Sequence, residues 1–130
     1  MKQKQIFGRT YNELTGCIHN HTEYSFDCSV PIAQIISEAK ENNLDYITLN
    51  DHRNKKAKKD EAVLNEKDLN VIVGTEINDK DNYNHYLVFE CDDIQKNCTV
   101  EEYMHFYKKK DVYELFLFAR SHTKLEKFLF

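Results

Sequence analysis

The sequence predicts a mixed α/β fold with about five short, mostly parallel strands. Short segments rich in β-branched and aromatic residues recur along the chain, and stretches with the apolar spacing of amphipathic helices separate most of them. The predicted order is β-α-β-α-β-β-α-β, and strands that alternate with helices in this way are typical of parallel sheets and barrels. In such folds the functional residues gather at the carboxyl ends of the strands.

The first half of the chain has the most regular patterns. Residues 16–21 are predicted to form the first strand, and residues 46–49, which are short and mostly apolar, the second. Between them, Ser29 can cap a helix that has Pro31 in its first turn. The apolar residues of this helix recur at helical spacing: Ile32, Ile35, Ile36 and Ala39. The Asn-Asn pair at 42–43 is predicted to end it.

The second half is predicted to add two helices and three strands. The strands are expected at residues 71–74, 86–89 and 115–118. A polar helix is predicted within residues 54–65. Thr99 and Glu102 have the spacing of a capping box, which predicts that a helix begins there. A last short helix is predicted to open at Thr123.

Composition and charge argue against several classes of protein. The chain has 130 residues, which suggests one domain over residues 1–130. Its net charge is −4 and its pI is about 5.8, without the basic surface of a nucleic-acid-binding protein. It has no apolar signal core, no run of transmembrane length and no C-x-x-C pair among its four cysteines. We therefore expect a cytoplasmic protein with free thiols and no membrane or nucleic-acid partner.

The segment Gly16-Cys17-Ile18-His19-Asn20-His21 carries the first chemical signal. Residues i and i+2 share a face of a strand, so His19 and His21 would point the same way. Imidazole is the commonest metal ligand in proteins. Taken alone, a His-x-His pair is more often two unrelated surface histidines than a metal site.

The positions of all six histidines favour a shared metal site. Five of them lie at the ends of predicted strands: His19, His21, His52, His85 and His122. Only His105 lies within a predicted helix. The carboxylates of Asp27, Asp51 and Glu76 lie near the same ends, and a set of imidazoles and carboxylates suits zinc, manganese or iron. Since His85 precedes its strand, it would reach the same edge only if that strand runs antiparallel.

These motifs resemble those of the PHP family, the polymerase and histidinol phosphatase superfamily of metal-dependent phosphoesterases. The matching segments, between about residues 14 and 122, are His19–His21 with Tyr24–Asp27, then Ile47–His52, Val73–Glu76 and His85–Val88. The resemblance implies a distorted (β/α)7 barrel with two or three metal ions at its mouth. Because a (β/α)8 barrel takes about 250 residues, we expect this chain to form a partial barrel.

The resemblance also implies which residues bind the ions. The expected ligands are His19, His21, Asp27, His52, Glu76, His85 and His122. His19 and His21 would bind the first ion, which Glu76 would bridge to the second. His85 would bind the second ion, and Asp27 with His52 would bind the third. In some members of the family the residue that matches Asp27 falls one place earlier, where this chain has Phe26.

Three further residues are expected to take part in catalysis without binding metal. Asp51 is adjacent to a ligand and would orient the site. Arg53 and Arg120 are the basic residues nearest to the expected ions, and they would hold a phosphate group.

Two departures from the family pattern bear on activity. The family has an Ala-His-Pro segment whose histidine binds metal, whereas this chain has Ala119-Arg120-Ser121-His122 without the proline. The Asp-x-His segment that completes the first two ions in the family does not follow His122. A sheet of five strands would also leave an open edge, at which a homo-oligomer could form.

We therefore expect a hydrolase of small phosphate esters in which a metal-bound hydroxide attacks phosphorus. The alternative is a non-catalytic remnant of the family, or a regulatory module that binds metal. The five histidines favour the first reading, and the absent Asp-x-His segment favours the second.

Overall fold

A computed structural model describes residues 2–82, 84–89, 93–109 and 115–119, with 108–109 and 115–119 described by their backbone alone. The strands in this part of the chain are β1 (Lys2–Ile6), β2 (Arg9–Glu13), β3 (Gly16–Asn20), β4 (Tyr46–Leu49), β5 (Asn70–Val73), β6 (Thr75–Asn78), β7 (Asn84–Val88) and β8 (Leu115–Ala119). The helices are α1 (Ile32–Glu41), α2 (Glu61–Leu64) and α3 (Val100–Lys109), with a short 3-10 helix at Lys56–Lys59.

The chain begins with an antiparallel hairpin of β1 and β2 that the sequence analysis did not anticipate. Its turn places Phe7 and Gly8 at φ 49° and 75°, and hairpin turns with two positive φ values match the twist of the strands. Almost every residue of the two strands is exposed. The hairpin therefore contributes little to the core.

The first three predicted strands are confirmed as β3, β4 and β5. They form a parallel sheet, and α1 packs on it. The predicted apolar stripe of α1 is its buried face, since Ile32, Ile36 and Ala39 have at most 6% of their surface exposed. The predicted cap at Ser29 is wrong. The helix begins after Pro31, and no side chain caps it. Its C-cap is Asn42, in the Asn-Asn pair that was predicted to end the helix.

The expectation of mostly parallel strands does not hold beyond β5. Gly74 lies between the end of β5 and the start of β6. The strands β6, β7 and β8 form an antiparallel sheet. A Cβ at Gly74 would lie 2.6 Å from Asn50 Nδ2 and 2.7 Å from the ring of Phe89, so only glycine allows this close approach. The strand predicted at 71–74 is therefore confirmed as β5 except for Gly74, which links the two sheets, whereas β6 was not predicted.

The helix α3 covers the antiparallel sheet. The predicted capping box is confirmed, because Thr99 N donates to Glu102 Oε2 at 2.7 Å and Glu102 N donates to Thr99 Oγ at 3.2 Å. Tyr103 and Tyr107 of α3 pack against Ile77, Tyr86 and Val88 in a second core cluster.

Two other helix predictions have different outcomes. The polar helix expected at 54–65 is shorter than predicted, since the segment forms only the 3-10 helix and the single turn of α2. The helix expected at Thr123 lies outside the described residues. No helix in the described part of the chain is both long and apolar enough to cross a bilayer.

Backbone hydrogen bonds join the two three-stranded sheets where β4 ends. Gly74 N donates to Leu49 O at 2.8 Å, Glu76 N to Asp51 O at 3.1 Å, and Arg53 N to Glu76 O at 2.8 Å. His52 and Glu76 form an isolated parallel bridge. The segment after β4 therefore lies beside the start of β6, while closure into a barrel stays a prediction.

Candidate metal centre

Glu76 is the centre of a group of four histidines. It is the second residue of β6, and only 2% of its surface is exposed. His19 Nε2 and His21 Nε2 lie 2.7 Å and 2.8 Å from its Oε2, and His52 Nε2 lies 3.8 Å from the same oxygen. His85 Nδ1 contacts the other oxygen, Oε1. The structure thus brings together five of the residues expected to bind metal.

A bulge in β3 aims the first two imidazoles. Cys17 pairs with Ile47 and Asn20 with Leu49, so β3 has one more residue than β4 over this stretch. His19 takes up the extra residue with φ 67°, in the left-handed region, and its N–H donates to Thr48 Oγ at 2.9 Å. The expected regular alternation of His19 and His21 is therefore replaced by a bulge, a device that redirects side chains near functional sites.

Antiparallel pairing brings His85 to the site. In the register of β6 and β7, Asn78 lies opposite His85 and Glu76 opposite Leu87. Asn78 and Glu76 share one face of β6, because they are two residues apart. The antiparallel direction that the sequence analysis required of this strand is therefore present.

Asp27 joins a second group of side chains. Its Oδ1 lies 3.1 Å from His21 Nδ1, and its Oδ2 lies 3.2 Å from His52 Nε2. The hydroxyl of Ser25 donates to Asp27 Oδ1 at 2.7 Å and accepts from the backbone N–H of His52 at 3.3 Å. Ser25 therefore ties the loop after β3 to the segment after β4.

Asp51 faces the neighbouring loop instead of the imidazoles. It is 1% exposed, and it accepts hydrogen bonds from Thr22 N at 2.7 Å and from Thr22 Oγ at 2.8 Å. Both carboxylate oxygens are thus used to hold the residue that follows His21. Since Thr22 follows His21 and Asp51 precedes His52, this contact joins the two segments that carry these imidazoles.

The histidines keep both carboxylates ionised. Burial on its own raises the pKa of Glu76, but hydrogen bonds with His19 and His85 outweigh it and lower that pKa to about 2. Burial also acts to raise the pKa of Asp27, whereas hydrogen bonds from Ser25 and His21 bring it well below its usual range. Burial lowers the pKa of His52, which favours the neutral imidazole that a metal requires.

These side chains fit a divalent cation by their chemistry. Two groups have ligand atoms within 4.8 Å of one another, namely His19, His21 and Glu76, and His21, Asp27 and His52. Two imidazole nitrogens lie within hydrogen-bond distance of Glu76 Oε2, and a third lies 3.8 Å from the same oxygen. Nitrogen and oxygen donors of this kind suit zinc, manganese or iron. His21 belongs to both groups, so it connects the two candidate positions.

A cavity of about 470 Å³ opens beside the cluster. Three cluster residues line it, namely Asp27, His52 and His85. The other lining residues are Phe26, Arg53, Asn78 and Asn82. Arg53 has φ 52°, a strained conformation of the kind that collects at functional sites. The other expected arginine, Arg120, and the seventh expected ligand, His122, lie outside the described residues.

Several residues that support the site were not predicted from the sequence. Thr22 and Ser25 lie within a few residues of expected ligands, yet only their contacts across the fold reveal their roles. Asn78 Nδ2 lies 3.1 Å from His85 Nε2. Its position two residues after Glu76 on a strand is a signal that could have found it.

The fold and the cluster define a mixed α/β protein with a histidine- and carboxylate-rich candidate metal centre. The PHP domain family matches the chain over residues 18–129, so the chain belongs to that family. No curated protein sequence gives a significant match. The matched range includes every residue of the cluster.

Proposed function

We propose that this protein is a metal-dependent phosphoesterase that hydrolyses small phosphate esters. The observation that carries the proposal is the convergence of three imidazole nitrogens on one oxygen of the buried Glu76. Membership of the PHP domain family, whose members are typically metal-dependent phosphoesterases, supports the same conclusion.

In this proposal the buried cluster binds the cations. His19, His21 and Glu76 would hold one ion, and Asp27 and His52 would hold a second, because a neutral imidazole such as that of His21 has a single lone pair and binds one ion. His85 contacts the second oxygen of Glu76 and fixes its direction. Divalent cations bound there supply Lewis acidity, which polarises a phosphoryl oxygen and makes water a better nucleophile near neutral pH.

The residues around the cluster orient the substrate and the ligands. Arg53 lines the cavity beside His52 and His85, where its guanidinium can form paired hydrogen bonds with a phosphate group. Asp51 and Thr22 fix the two loops that carry His21 and His52, so the imidazoles stay in place. Asn78 holds the far nitrogen of His85.

The test is phosphate release measured together with metal content. The protein is stripped with a chelator and reloaded with zinc or manganese, and release of inorganic phosphate is followed for alkyl and aryl phosphate monoesters. We expect hydrolysis only in the reloaded protein. His19→Ala should remove bound metal and most activity.

His105→Ala is the matched control, because His105 is an exposed histidine of α3 away from the cluster. It should keep the metal content and activity of the wild type. Metal binding without hydrolysis of any ester would contradict the proposed activity and support a metal-binding module. Full activity in the stripped protein would contradict the role of metal.

A further inference from the structure

Phe26 places an exposed aromatic ring at the edge of the candidate site. The residue is 86% exposed and lines the cavity beside the cluster. Its ring stacks on the imidazole of His52, with centroids 4.7 Å apart and planes 26° from parallel. One aromatic surface thus extends from the cluster toward solvent.

The backbone around Phe26 is held in place on both sides. Ser25 N donates to Thr22 O at 2.9 Å, and Cys28 N lies 3.4 Å from Ser25 O. The side chain of Asn54 donates to the carbonyl of Tyr24 at 3.1 Å. Phe26 therefore projects from a fixed turn, and fixed groups lose little conformational freedom when a ligand binds.

The cavity combines this ring with groups that recognise an anion. Arg53 and Asn82 line it together with Phe26, whereas the amide nitrogen of Asn78 is already engaged with Asn82 Oδ1 and His85 Nε2. A guanidinium pairs with phosphate oxygens, whereas an aromatic ring stacks on flat, unsaturated groups. A ligand that satisfies both must carry a phosphate and a planar ring a short distance apart.

We propose that Phe26 determines specificity by stacking on a planar, unsaturated ring in the leaving group of the substrate. This inference rests on the proposed phosphoesterase function and names its substrate class. An aryl group and a nucleobase share the required chemistry, and the experiment distinguishes them. A saturated ring of similar size would fill the same space without stacking.

The test compares two phosphonates that cannot be hydrolysed, phenylphosphonate and cyclohexylphosphonate. Their binding to the metal-loaded full chain is measured by calorimetry. The wild type should bind phenylphosphonate about three- to tenfold more tightly, the range expected from an aromatic pair. Phe26→Leu should abolish this preference and keep the metal content, whereas Phe26→Tyr should restore it.

Phe7→Leu is the matched control, because Phe7 is also a highly exposed phenylalanine and lies in the turn of the hairpin. It should keep the preference of the wild type. The KM values for hydrolysis of phenyl phosphate and of adenosine 5′-monophosphate then show whether Phe26 recognises an aryl group or a nucleobase. The substrate whose KM rises more in Phe26→Leu carries the ring that Phe26 recognises.

Equal binding of the two phosphonates by the wild type, or binding of neither, would overturn the role of Phe26. A preference that persists in Phe26→Leu would do the same. Ring-selective binding that depends on Phe26, without hydrolysis of any ester, would support recognition of a planar ring by Phe26 and contradict the proposed activity, and with it the assignment of that ring to a leaving group.

Discussion

The carboxylate of Glu76 combines two properties that are seldom found together. It is almost fully buried, and it is nevertheless ionised, with a pKa of about 2. A buried charge without partners is strongly unfavourable, so the surrounding imidazoles stabilise it. The same arrangement makes the residue a strong candidate to hold a cation.

Replacing Glu76 with glutamine tests whether the charge of this carboxylate is needed to hold a cation. Glu76→Gln keeps the size of the side chain and removes its charge, so it should lose at least one bound ion and lower activity by about 100-fold or more. Native mass spectrometry and phosphate release measure the two effects. Unchanged metal content would show that Glu76 does not hold the ion.

We expect Asp51 to affect metal affinity by positioning the histidine ligands, without binding the metal itself. Asp51→Asn weakens the pair of hydrogen bonds with Thr22, and we expect metal affinity to fall by about 10- to 100-fold. If chemistry is otherwise intact, saturating metal should restore most of kcat. A kcat that stays low at saturating metal would mean that Asp51 takes part in the reaction itself.

The positions of these side chains could be predicted because local sequence patterns indicate where strands end. The short apolar segments before His19, Asp51 and Glu76 mark where strands stop. The contacts of Ser25 with His52 and of Thr22 with Asp51 join residues 27 and 29 positions apart. Local patterns do not encode such pairs, so they became visible only in the folded chain.

At the scale of the elements, Gly74 decides where the chain changes from one sheet to the other. The strand predicted at 71–74 matches β5 up to Val73, but the strand β6 that follows Gly74 was not predicted. Close packing of Gly74 against Asn50 and Phe89 allows β6 to begin at once and to place Glu76 beside Asp51.

Gly74→Ala should therefore destabilise the protein and disturb the site together. The added methyl group would lie within 2.6 Å of Asn50 and 2.7 Å of Phe89, and overpacking of this kind costs about 1–3 kcal/mol. Thermal unfolding gives the stability, and a competing chelator gives the metal affinity. Both should fall.

Gly8→Ala separates the two effects. Gly8 has φ 75° and nothing within 4 Å of an added Cβ, so the substitution strains the hairpin turn without touching the site. It should lower stability modestly and leave metal affinity unchanged. Equal loss of metal affinity in both variants would show that it follows general instability instead of the junction at Gly74.

At the scale of the whole molecule, pH should control metal binding. Imidazoles must be neutral to bind metal, and ordinary histidines gain a proton near pH 6.5. Burial lowers the pKa of His52, so its unfolded form takes up a proton first and the metal-free fold loses stability as the pH falls below 6.5. The pKa of Glu76 is lowered from 4.5 to about 2, so the stability from its contacts is present above pH 4.5 and disappears toward pH 2.

Chelator competition between pH 8 and pH 5 measures this dependence. We expect metal affinity to decrease steeply below about pH 6.5, and His105→Ala should follow the same curve as the wild type. Constant affinity down to pH 5 would indicate that carboxylates hold the ion without the histidines.

Three expectations for the molecule as a whole stay predictions: a single domain over residues 1–130, a partial barrel, and a homo-oligomer formed at an open sheet edge. Among the described strands, β3 pairs only with β4, and Gly16, Cys17 and Ile18 are exposed along it. A strand with one unpaired edge can pair with a second copy. Light scattering measures whether two copies associate.

In the proposed site, His19, His21 and Glu76 together hold a divalent cation. Anomalous diffraction from crystals grown with zinc locates such an ion directly. We expect a strong anomalous peak between Glu76 Oε2 and the Nε2 atoms of His19 and His21, at about 2.0–2.2 Å from each of these atoms. No peak at this position in crystals whose zinc is bound elsewhere would contradict the claim.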